Sequence, residues 1–134
     1  MTNLPKGLRN NNPLNIRRGE RWKGLVLPGT DPQFCQFKNM KLGVRAGFIL
    51  LRQYIKKYSC NTVRSIVSRW APPSENDTQA YIANVSRWAR IDPDKAIRYE
   101  DKPRMLALMR AMICQECGTT IPQQIIIDAY NSTL

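Results

Sequence analysis

Apolar residues recur at helical spacing along almost all of the chain after Asn39, and this constrains the fold more than any other feature. Val44, Phe48, Leu51, Ile55 and Tyr58 follow one another at steps of four, three, four and three, which places them on one helix face. Asn39 stands where a cap belongs. Val63, Ile66, Val67 and Trp70 mark a shorter helix that starts near Asn61 or Thr62 and is ended by Ala71-Pro72-Pro73. Tyr81, Val85 and Trp88 form the stripe of a third, and Ser74-Glu75-Asn76-Asp77 has capping-box spacing before it, with Ser74 as cap and Asp77 reaching back. A fourth runs from about Pro103 to Cys117, carries Met105, Leu108, Met109 and Met112, and is stopped by Gly118. A last helix covers roughly Pro122 to Tyr130. Ile125-Ile126-Ile127 also fits a strand, but Pro122 and the lack of a nearby strand partner favour helix.

Before Asn39 the pattern changes. Leu14-Asn15-Ile16-Arg17 and Phe34-Cys35-Gln36-Phe37 alternate apolar and polar residues and read as short strands, with Trp22, Gly24 and a Pro28-Gly29 turn between them. Three asparagines before Pro13 make a poor helix and a poor strand. Their amides bond local backbone and tolerate left-handed geometry, so a rigid polar turn is expected. The expectation is a mainly α (α+β) protein: a single domain over 1–134, with a loop and β lobe at about 9–38 and a helical lobe at 39–134. A cleft between the two would suit an extended ligand.

The length of 134 residues fits one domain with a real core. A net charge of +11 points to a polyanionic partner: nucleic acid, anionic lipid or an acidic cell-wall polymer. The basic residues are spread out rather than clustered, which counts against a base-reading helix. A monomer is expected. No apolar run is long enough to span a membrane, and Met1 to Lys6 lacks the apolar core of a signal peptide. The expectation is therefore synthesis in the cytoplasm. Action at a wall would follow lysis, phage delivery or non-classical export, unless a native leader is absent from this sequence.

Histidine is absent, which removes imidazole acid–base chemistry and His-metal sites. Cys114 and Cys117 form a C-x-x-C, but their surroundings read as helix, and Cys35 and Cys60 lie too far apart for a second zinc pair. Buried, reduced thiols are expected, with no metal and no cofactor. Hydrolytic chemistry then falls to carboxylates, or to Cys, Lys or Tyr.

Glycoside cleavage needs a carboxylic acid near the scissile bond and usually a second carboxylate. Some cell-wall lyases need one only, because a hydroxyl of the sugar attacks. Ten carboxylates are available. Glu75 stands out: prolines stiffen its approach and Trp70 is near, and an apolar neighbour raises a carboxyl pKa. A glutamate in the first turn of a helix is equally explained by the helix dipole. Glu20 is the second candidate, although its arginine-rich run also reads as solvated surface. Glu116 falls near the end of the fourth helix. Trp22, in a loop, is the aromatic best placed to stack on a sugar; Trp70, Tyr81 and Trp88, at helical spacing, read more readily as core.

The string Gly7-Leu8-Arg9-Asn10-Asn11-Asn12-Pro13-Leu14-Asn15-Ile16-Arg17 resembles the opening of a family of phage and prophage lysozyme-like proteins, also known as phage structural or virion proteins. The likeness continues through Trp22-Lys23-Gly24, Phe34-Cys35-Gln36-Phe37, Gly43-Val44-Arg45-Ala46 and Thr62. It closes with Arg69-Trp70-Ala71-Pro72-Pro73-Ser74-Glu75-Asn76-Asp77-Thr78, Tyr81 and Val85. It implies a lysozyme-like fold and cleavage of peptidoglycan glycan strands by a muramidase or lytic transglycosylase. Glu75 would be the acid, assisted by Asp77 or Glu20. Asn11, Asn12, Asn15 and Arg17 would orient acetamides and carboxylates, with Trp22, Asn76 and Tyr81 as further contacts. The alternatives are a non-catalytic glycan-binding or virion module and, from charge alone, a nucleic-acid-binding protein. The pattern is also similar, more distantly, to the Asn-Leu-Phe-Gly-Ile-Lys region of cell-wall glucosaminidases, whose catalytic Glu lies on a helix upstream. Here Met1 to Asn10 holds no Asp or Glu.

Overall fold

A computed structural model describes residues 4–134. The signal-peptide reading rests on Met1 to Lys6, of which 1–3 lie outside the described residues. Among the described residues there are six helices: α1 (Lys6–Arg9), α2 (Met40–Lys56), α3 (Val63–Trp70), α4 (Thr78–Ala89), α5 (Lys102–Cys117) and α6 (Gln123–Asn131). The protein is mainly helical, as the apolar periodicity implies. None of these helices is long and apolar enough to cross a membrane.

α2 begins where expected. The Asn39 side chain accepts from the Leu42 N–H at 3.0 Å, and Val44, Phe48 and Leu51 are fully buried. The helix ends at Lys56, so Tyr58 lies beyond it and is exposed. α3 starts on a reciprocal Thr62–Ser65 capping box. α5 is capped by Asp101, carries Pro103 in its first turn, and ends at Gly118, whose φ of 71° is left-handed. Its face of Met105, Leu108, Met109 and Met112 is buried, and α5 packs against α1, α4 and α6. Residues Ile125–Ile127 are helical, and Tyr130 of α6 meets Phe48 of α2 edge-on at 5.3 Å.

Three expectations need correction. The cap of α4 is Asp77, not Ser74: its carboxylate accepts from the Ala80 N–H at 3.1 Å, and Thr78 opens the helix. Ser74, Glu75 and Asn76 instead form a turn closed on the Pro72 carbonyl. Trp88 is not core. The buried face of α4 runs through Tyr81, Ile82 and Val85, which rotates Trp88 outward, where the Arg87 guanidinium lies 5.8 Å from its ring. The two expected strands shrink to isolated antiparallel bridges, Arg17 with Phe34 and Leu25 with Phe37. Left-handed backbone at Asn11 and Asn15 interrupts the extended geometry a ladder needs. Of the cysteines, all free, Cys35 and Cys117 are buried, whereas Cys60 and Cys114 are only half-buried.

Candidate functional site

The asparagine loop is seated on α2. A Cβ on Gly43 would lie 1.8 Å from the Asn11 carbonyl oxygen, and one on Gly47 would lie 2.6 Å from the Leu14 side chain. At Gly43 the neighbour is backbone, so only glycine lets the loop lie so close, whereas at Gly47 the neighbour is the tip of a side chain. Asn12, fully buried, then acts as a rivet: its amide donates to the Ile16 and Cys35 carbonyls, both at 2.9 Å, and accepts from the Ile16 N–H at 2.9 Å. Asn10 pairs with Asp31 and Gln36, and Asn11 donates to the Phe37 carbonyl at 3.0 Å. Sequence reasoning placed Asn11 and Asn12 on a ligand. The structure gives both amides to the protein's own backbone, because a loop without strand ladders must satisfy its peptide groups some other way.

That scaffold aims Asn15 and Arg17 into a cleft of about 450 Å³. Trp70 at the end of α3, and Ala71, Glu75 and Asn76 from the segment joining α3 to α4, border the same cleft. Leu50 and Tyr54 of α2, Lys6 of α1, and Phe34 complete it together with Glu116. Four of the expected site residues, Asn15, Arg17, Glu75 and Asn76, are thus brought together. Glu20 is not: it borders a separate hollow of about 270 Å³ beside Arg18, Arg21 and Leu27. Asp77 caps α4 and is absent from the cleft lining, and Trp22 is half-buried against the core rather than in the cleft.

Glu116, in the last turn of α5, is the residue that sequence reasoning passed over. Asn15 donates to its Oε1 at 3.1 Å and the Tyr81 hydroxyl donates to its Oε2 at 2.9 Å. Tyr81 therefore stands behind Glu116 rather than in the lining. Burial, reinforced by the Glu116 charge, pushes the Tyr81 phenol well above its ordinary range, so it remains an O–H donor at any working pH. A carboxylate has about four lone-pair sites, so two donors leave capacity on both oxygens of Glu116. One signal was available in the sequence. Glu116 is the lone acid in α5 and sits at the end where the helix dipole disfavours it. Such a placement needs a reason.

Glu75 differs. Its side chain is 57% exposed, and Oε2 lies 3.6 Å from an Arg17 guanidinium nitrogen that is itself largely exposed. A loose surface pair of this kind contributes about 0–1 kcal/mol.

The whole describes a small, basic, mainly helical protein with a carboxylate and amides in one open cleft. No protein-family model matches the sequence. The chain is 41% identical over 118 residues to Protein P5 of Pseudoalteromonas phage PM2, a match that spans 85% of this chain and 72% of that protein. It belongs to the family of that phage protein.

Proposed function

We propose that the cleft binds peptidoglycan glycan strands and cuts them, as a muramidase or lytic transglycosylase of lysozyme-like type with residues at about 9–38 as its smaller lobe. The observation that carries this reading is Glu116, held in the cleft by Asn15 and Tyr81 among aromatic and amide groups suited to an N-acetylated sugar. Glu116 is the better positioned of the two glutamates: Asn15 and Tyr81 fix its carboxyl in the cleft, whereas Glu75 is exposed and beside an arginine. The acid protonates the glycosidic oxygen, and water or a sugar hydroxyl attacks the anomeric carbon. α5 follows the Asn motif in sequence but packs against α1, and the Asn15–Glu116 hydrogen bond brings its glutamate beside the motif. A basic surface would hold the protein on an anionic wall.

Release of soluble muropeptides from purified cell walls tests the reading. The isosteric Glu116→Gln should lower the rate by about 10²–10⁴-fold, the usual worth of a positioned acid. Glu75→Gln should slow it a few-fold at most. If clearing survives Glu116→Gln and fails in Glu75→Gln, the acid is Glu75. Wall binding by the wild type with no release would mark a non-catalytic glycan-binding module.

A further inference from the structure

We propose that the hollow of about 270 Å³ beside Leu27 docks the protein on the headgroup region of an anionic lipid bilayer, from the opposite face of the smaller lobe to the cleft. The inference does not depend on the glycan reading.

The two faces follow from extended backbone. Arg17 and Phe34, paired in an antiparallel bridge, border the cleft, whereas their neighbours Arg18 and Cys35 border the hollow. Successive side chains of an extended segment point to opposite sides. The segment 33–37 is flanked on both edges. The Gln33 carbonyl accepts from the Arg18 N–H at 2.9 Å, and the Gln36 carbonyl accepts from the Val26 N–H at 2.8 Å. Arg18 and the turn after Val26 are thereby set about one hollow. The Arg18 guanidinium, donating to the Pro28 carbonyl at 2.6 Å, joins its two sides.

This face carries apolar and cationic groups together. Leu25-Val26-Leu27-Pro28 is an apolar run, yet Val26 and Leu27 are 39% and 71% exposed. Among the described residues, no other two exposed large apolar side chains are adjacent in sequence. Arg18 and Arg21 border the same hollow, and among the described residues neither is in an ion pair. Glu20 also borders it and offsets one of these two charges. The balance stays positive, since residues 17–28 carry four cations against one acid, and Lys38 is exposed beside Gly24, whose carbonyl accepts from its N–H at 2.8 Å. An occupant must supply both an apolar phase and anions above it. A nucleic acid supplies anions alone, and a neutral bilayer lacks the negative surface. The interface of an anionic bilayer supplies both: Val26 and Leu27 enter the acyl boundary while the guanidiniums reach lipid phosphates. Docked in this way, the protein keeps its cleft open on the other side.

Sedimentation of the full chain with lipid vesicles tests the inference. One set is phosphatidylcholine alone and the other contains one quarter phosphatidylglycerol. Partition onto the anionic vesicles should be at least about tenfold stronger at low salt. Arg21→Gln should weaken it about threefold to fivefold, an effect that fades as sodium chloride is raised. Leu27→Ser should weaken it about fivefold to tenfold, an effect that persists at high salt. Both side chains are exposed, so both variants should keep the wild-type unfolding midpoint. Arg110→Gln, on α5, should leave partition unchanged. Equal partition onto the two vesicles, no effect of Leu27→Ser, or an equal loss in Arg110→Gln and Arg21→Gln overturns the inference. A short DNA duplex titrated in parallel identifies the rival occupant. Duplex binding that exceeds vesicle binding, with a loss in Arg21→Gln and none in Leu27→Ser on either probe, assigns the face to nucleic acid and likewise overturns it.

Discussion

Residues 10–17 and 71–77 border one cleft and are joined across it by Arg17 and Glu75, yet they are built in opposite ways. The first turns its polar groups inward. Asn10 and Asn12 are buried, Pro13 and Leu14 lie against α5 and α2, and of the polar side chains Asn15 and Arg17 reach the cleft. The second turns them outward: Ser74, Glu75, Asn76 and Asp77 are all exposed, held by a turn on Pro72 and the cap on α4. A run of polar residues in sequence does not say which of them a ligand can reach. In the first wall the amides replace a missing sheet, whereas in the second the side chains make short-range bonds, Asn76 to Pro72 and Asp77 to Ala80, and stay exposed.

The sharpest way to break the comparison is Gly43→Ala. With a carbonyl 1.8 Å from the new Cβ, α2 and the loop must part, and a loss of about 3 kcal/mol or more is expected in denaturant unfolding. A neutral result would show that the loop is not seated on α2. Asn12→Ala comes next. It strips partners from the Ile16 N–H and from the Ile16 and Cys35 carbonyls, all in a buried site, and should cost about 2–3 kcal/mol. Alkali sharpens the same contrast. The Cys117 thiol donates to the Pro13 carbonyl at 3.2 Å, and burial, then the Glu116 charge, pushes its pKa from 9.0 to about 11. A raised pKa favours the folded state in full below about pH 9, and that contribution is lost as pH rises through about 11. Unfolding midpoints followed from pH 8 to 11.5 should therefore fall less in Cys117→Ala than in the wild type. An equal fall in both would detach Cys117 from the effect. The smallest change is Glu75→Gln, expected within about 0.5 kcal/mol because its ion pair with Arg17 is long and exposed. A larger loss would mean that the outer wall is structural after all.

Local chemistry explains which parts of the fold were legible. Asn39 as cap, Gly118 as stop and the buried methionines of α5 all follow from interactions within a few residues. The start of α4 was misread because Ser74 and Asp77 are both good caps three residues apart, and the choice depends on where Ala71 and Pro72 are held. Thr78, buried, donates its hydroxyl to the Ala71 carbonyl at 2.6 Å and brings the helix start to Asp77. In the site, Asn15, Arg17, Glu75 and Asn76 were legible from two distinctive strings. Their neighbour Glu116 was not, because its partner Asn15 stands 101 residues away and nothing local joins them.

The sequence by itself determined the presence of α2 to α6, the stop of α5 at Gly118 and the turn-forming character of the asparagine run, since propensity, capping and apolar period act over a few residues. Only the tertiary structure decided which asparagine is a rivet and which reaches the cleft, and which of ten carboxylates lies beside it. Those outcomes depend on the close approach of the loop to Gly43 and Gly47 and on α5 packing against α1. Burial and long-range hydrogen bonding are properties of the packed chain, and no local pattern encodes them.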